Sequence, residues 1–190
     1  MKLKWSITQY TFIAFCIALN LGLGAIVRIA KLPFFLDSLG TILSTILIGL
    51  PGGIVVGLFT VVFASFIYSP QLWAYGLTAI TIALLSHGFN KVGFFNTIIK
   101  SIISGLVIGV VAAIVSAPIT VYLYGGISTS GQDFVTAFLH ATGLKLLNSV
   151  VLAGFSTDPI DKAISAFIIF YLLKNIPQRI RYRLSIQDEE

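Results

Sequence analysis

The sequence predicts an all-α integral membrane protein: six transmembrane helices in a compact bundle, with an extra amphipathic or re-entrant helix at the outer surface. Three observations predict it. Of 190 residues, 57% are hydrophobic and only 10% are charged, where a soluble domain carries about 25% charged residues. The mean hydropathy is +0.98. The apolar residues gather into runs that approach the ~20 needed to cross a hydrocarbon core, each closed by Gly, Pro or charge. With nearly the whole length apolar, residues 1–190 read as a single membrane domain with no room for a separate soluble one.

The first span is expected over residues 9–29. Lys2 and Lys4 before an apolar run superficially resemble a secretory leader. The run is too long for a leader's apolar core and no A-x-A site is evident, so a retained span is expected. "RIAKLPFF", with Arg28, Lys31 and Pro33, interrupts it. A second span over 36–50 stops at "GLPGG", a strong turn signal. A third covers 54–68 and ends at "YSPQ"; a fourth covers 72–86 and leads into the polar "HGFNKVGFFN". The fifth, 97–124, is long enough to tilt. The sixth, 160–173, is opened by "STDP", a polar cap with Pro159 in the first turn. Between the last two, residues 134–155 look helical but hold His140, Lys145 and Asn148. They are assigned to the outer helix, with a seventh span as the competing reading.

Charge decides between these. With six spans and both termini cytoplasmic, the inner side holds Lys2, Lys4, Lys91, Lys100, Lys174, Arg179, Arg181 and Arg183. The outer side holds Arg28, Lys31, Lys145 and Lys162. That distribution obeys the positive-inside rule, and a seventh span would carry one basic end outside. The cations are thereby topology signals, and no nucleic-acid partner is implied.

Small residues recur at helical spacing. Ala14, Ala18 and Gly22 share one face of span one; Ser101, Gly105, Gly109, Ala113 and Ala117 form a ladder along span five. Such faces let membrane helices approach closely. For span five the expectation is packing within the bundle. For span one, packing within the bundle competes with a docking role for Ala14 and Ala18, and Gly22 is assigned to internal packing.

No catalytic motif or nucleotide-binding loop is present, so the chain is not expected to be an enzyme. His87 and His140 fall on opposite sides and Cys16 lies in an apolar run, so no metal site or cofactor is expected. The polar residues outside the basic set concentrate at the outer face. Phe34, Phe35 and Asp37 after span one, Lys145 and Asn148 in the outer helix, and Asp161 and Lys162 at the start of span six are the expected lining of an outward pocket. Lys162, a cation at a helix start, calls for an anionic partner: Asp158 or a ligand.

Taken together, Ala14-x-x-x-Ala18, the hairpin "LDSLGTILSTILIGLPGGIVVGLFT", the six spans and the basic tail resemble the substrate-binding S component of energy-coupling factor (ECF) transporters. The likeness covers nearly the whole chain. It implies capture of a water-soluble vitamin at the cytoplasmic membrane of a prokaryote. Its partners would be one transmembrane T subunit, docking at Ala14 and Ala18, and two ATPases that supply the energy. The four outer cations favour an anionic vitamin, and "LPFFLDSLGT" resembles the pantothenate type. Pyridoxine, a thiamine precursor or a cobalamin are the other candidates. A non-transport sensor module and a stand-alone channel are the competing classes.

Overall fold

The computed structural model describes residues 5–126, 128 and 131–185. Among these every regular element is helical. The eight α-helices are α1 (Ile7–Ile29), α2 (Leu39–Leu47), α3 (Leu50–Ile67), α4 (Gly76–Lys91), α5 (Ile98–Tyr124), α6 (Gln132–Ala141), α7 (Leu146–Asn175) and α8 (Gln178–Ser185). Short 3-10 turns, Pro70–Tyr75 and Phe94–Asn96, precede α4 and α5. Four segments are long and apolar enough to cross a membrane: Ile7–Ile29, Leu50–Ile67, Pro70–Lys91 and Ile98–Tyr124. Large side chains such as Phe66, Ile29 and Tyr122 stand almost fully exposed around them. Such a surface suits lipid and would be a liability in water.

α1 starts with a capping box: the Ser6 hydroxyl accepts from the Gln9 amide N–H, and the Gln9 side chain accepts from that of Ser6. Gln9 also donates to the Leu184 carbonyl at 2.8 Å, so the start of α1 and helix α8 lie at the same end of the bundle. The buried face of α1 runs through Gln9, Ile13, Cys16, Asn20, Gly24 and Val27. Ala14, Ala18 and Gly22 are on the other side and exposed, and a Cβ on Gly22 would touch nothing within 4 Å. The expected internal packing of Gly22 is therefore corrected: two helical faces compete for the core, and the one carrying Ile13, Cys16 and Asn20 fills it.

The expected second span, 36–50, is only half helix. α2 has nine residues and is almost wholly buried. Gly40 lies so close to α1 that a Cβ there would overlap the Cys16 carbonyl. From that level α1 continues thirteen residues to Ile29, about 20 Å at 1.5 Å per residue. Residues 30–38 therefore descend into the bundle as irregular chain, and α2 forms only below them. Lys31 and Leu36 take left-handed backbone conformations, φ +53° and +47°. The Ile48–Gly49 turn, with Gly49 at φ +104°, reverses the chain into α3.

The largest departure concerns the outer helix and span six. The expected outer helix, 134–155, is split: α6 covers Gln132–Ala141, Gly143 turns the chain at φ +95°, and α7 begins at Leu146. α7 then runs thirty residues without a break through the "STDP" expected to open span six. Pro159 sits inside the helix, where it forfeits the bond to the Phe155 carbonyl. Close packing retains it: a Cβ on Gly109 of α5 would overlap the Asp158 carbonyl and the Pro159 Cα, and one on Gly105 would overlap the Lys162 carbonyl. The small-residue ladder of α5 is the surface on which α7 rides, and Ser101, Gly105, Gly109, Ala113 and Ala117 are all buried. The remaining expected spans keep their places with shifted ends, 54–68 becoming α3, 72–86 becoming the 3-10 turn plus α4, and 97–124 becoming α5.

Candidate functional site

Near the end of the bundle away from α8, a cavity of about 120 Å³ opens between α1, the descending loop, α3, α4, α5 and α7. That is close to the roughly 150 Å³ of a cavity that admits benzene. Below it the helices close on an apolar core that includes Ile13, Cys16, Leu39, Ile42, Ile108 and Ile169.

The floor is a saturated polar knot. The Asn20 side-chain carbonyl accepts from the Gly40 N–H at 2.6 Å, and its amide donates to the hydroxyls of Thr41 and Thr60, both at 3.1 Å. It ties α1, α2 and α3 together where a helix backbone could not reach. Higher up, the Tyr75 and Thr120 hydroxyls share a hydrogen bond of 2.8 Å. Two hydroxyl oxygens in the wall, Ser38 Oγ and Thr78 Oγ1, are buried with no hydrogen-bond partner among the described residues.

The upper wall is ionic. Asp161 is fully buried; its Oδ1 accepts from the N–H groups of Phe35 at 3.1 Å and Leu36 at 2.8 Å, and its Oδ2 pairs with the Lys162 ammonium. Lys162 Nζ also lies 3.9 Å from Asp37 Oδ1 and 5.9 Å from the centroid of the Phe35 ring. Arg28 places its guanidinium 5.0 Å over the Tyr68 ring. Asp158 completes the wall, 5% exposed. A carboxylate that holds two N–H groups of a loop replaces the ladder that the irregular chain lacks. This explains how Leu36 is kept in a left-handed conformation.

Of the residues expected to line the pocket, Phe35, Asp37 and Lys162 do so. Asp161 lies behind the wall as the clamp of the loop. Phe34 is half-buried and outside the lining, and Lys145 and Asn148 are exposed around the start of α7, away from it. The anion that Lys162 calls for is first Asp161, its neighbour, rather than Asp158. Asn20, Thr41, Thr60, Tyr75 and Thr78 were not anticipated. For Asn20 a signal exists: a lone amide within an apolar span is expensive and marks a site. The hydroxyl residues carry no such signal, because Ser and Thr in membrane helices commonly bond back to their own turn, as Thr81 and Ser86 do here.

Comparison with protein families, curated proteins and solved structures finds no match to this chain.

Proposed function

We propose that this chain is the substrate-binding S component of an ECF-type transporter. It takes a small water-soluble vitamin from outside the cell, and a T subunit with two ATPases drives the uptake. The observation that carries this reading is the cavity: small, polar at its upper wall, tied at its floor and sealed beneath by apolar packing. A binding chamber needs those features, and a stand-alone channel would need a continuous polar path. The outward strip of Ala14 and Ala18 supports the second half of the reading, because a smooth face turned away from the bundle suits a partner helix.

In this reading the chain passes the membrane six times. The descending loop with α2 counts as one pass and α7 as another. Lys91, Lys100, Lys174, Arg179, Arg181 and Arg183 gather at the α8 end, which among the described residues holds no carboxylate. That supports a cytoplasmic position for this end and for both termini; the membrane in this reading is the cytoplasmic membrane of a prokaryote. Lys31 and Lys145, two of the four outer cations that favour pantothenate, do not line the cavity.

The test is purification of the full chain from its own membrane in mild detergent. Co-purification of a T subunit and two ATPases, with a vitamin released on denaturation and identified by mass spectrometry, is the expected result. Purified chain that brings down no ATPase and conducts ions in planar bilayers would overturn the proposal.

A further inference from the structure

The ionic wall holds Asp37 and Asp158 against Arg28 and Lys162, with Asp161 directly behind it. Their partners are unequally shared. Asp161 spends both oxygens, one on the loop amides and one on Lys162. Asp37 has Lys162 within 3.9 Å. Asp158, 5% exposed, has one hydrogen-bond partner among the described residues, Thr157 Oγ1 at 3.5 Å. That hydroxyl has a single proton, and it lies closer to the Ala153 carbonyl, at 3.0 Å. The Asp158 carboxyl is therefore left in the cavity wall without a donor. The Lys162 charge acts on it from a distance, but the ammonium makes its ion pairs with Asp161 and Asp37; burying a carboxyl with so little direct compensation is costly. Nearby, Ser38 Oγ, in a residue 4% exposed, is also unpartnered, and Phe35, Tyr68 and Tyr75 supply ring faces.

We infer that the ligand brings a positively charged nitrogen to Asp158: a protonated amine, or a charged nitrogen heterocycle. This rests on the reading of the chain as a vitamin-binding S component and reverses the sign of the ligand charge drawn from the sequence. The aromatic walls suit the same ligand, since ring faces attract cations. In the lining two carboxylates already balance two cations, and Asp161 behind it takes up the Lys162 ammonium, so a vitamin bearing only a carboxylate finds no cation left without a counter-charge.

The experiment titrates three probes into the purified full chain in detergent by calorimetry: thiamine and pyridoxamine as nitrogen cations, pantothenate as the anion. At least one cation is expected to bind ten or more times tighter than pantothenate. Asp158→Asn should weaken that cation by roughly tenfold to a hundredfold, with an unchanged circular-dichroism melt. The ranking in the unmodified chain needs no variant, so a misfolded Asp158→Asn does not rescue the idea. Tighter binding of pantothenate, binding of neither cation, or a cation affinity indifferent to Asp158→Asn would each overturn the inference. If pantothenate binds and the ATPases still co-purify, only the ligand charge is wrong. If no probe binds and no ATPase co-purifies, the transporter reading fails with it.

Discussion

Asp161 shows how one side chain can take the place of secondary structure. Two loop amides and one ammonium depend on its two oxygens. Removing one member of a buried ion pair strands the other and typically costs about 3–5 kcal/mol. Asp161→Ala should lose stability on that order in thermal unfolding of the detergent-solubilised chain. Lys145→Ala and Asn148→Ala, both at exposed positions away from the cavity, should stay within about 0.5 kcal/mol of the parent and leave ligand retention unchanged. At this scale the sequence was partly legible. Charges near span ends announced themselves, which located Asp37 and Lys162. Whether a charge faces the cavity or stands behind its wall depends on where a neighbouring loop runs. That separates Asp161 from Asp158, three residues apart on one helix.

At the level of elements, α5 and α7 are joined through glycines and α1 turns its own small residues outward. The two cases predict opposite outcomes for the same chemical change. Gly109→Ala pushes a methyl into the α7 backbone and should cost about 1–3 kcal/mol, as overpacking does. Gly22→Ala meets open space and should be neutral within about 0.5 kcal/mol; unfolding of the two variants side by side measures the contrast. By the same geometry, Ala18→Trp should leave fold and ligand retention intact while abolishing co-purification of the ATPases, read on one preparation. The apolar runs found the helices whose ends coincide with turn residues or charge, α1 and α5 above all. They failed at α7, because Pro159 and three nearby charges imitate a helix start; the helix continues through the proline, packed against the glycines of α5. They also overestimated α2, since an apolar loop buried in the bundle has the composition of a span.

For the molecule as a whole, the two ends differ in charge as well as in shape. One holds the cavity mouth; the other holds α8, the connections from α2 to α3 and from α4 to α5, and the cationic cluster. The native Cys16 is fully buried and should be silent toward a membrane-impermeant maleimide. Lys145→Cys should label on intact cells, and Arg179→Cys only after the membrane is opened. Labelling of Arg179→Cys from outside would invert the proposed orientation. The all-helical architecture was legible from the long apolar runs, because a backbone in lipid must satisfy itself internally and a barrel's strands would alternate instead. Which legs are helical from end to end was not, since a leg that is half loop carries the same residues.

The wall between the cavity and the outward strip of small residues is a single helix. Asn20 and Gly24 line the chamber from one side of α1, while Ala18 and Gly22 look out from the other. A helix with its side chains is about 10 Å thick. No relay of residues is then required for the state of the chamber to be felt outside: a small roll of one rod presents a different profile to whatever rests against it. A spin label or fluorophore attached at Gly22, where there is open space, would sit on the far side of that rod and register its motion as the chamber fills.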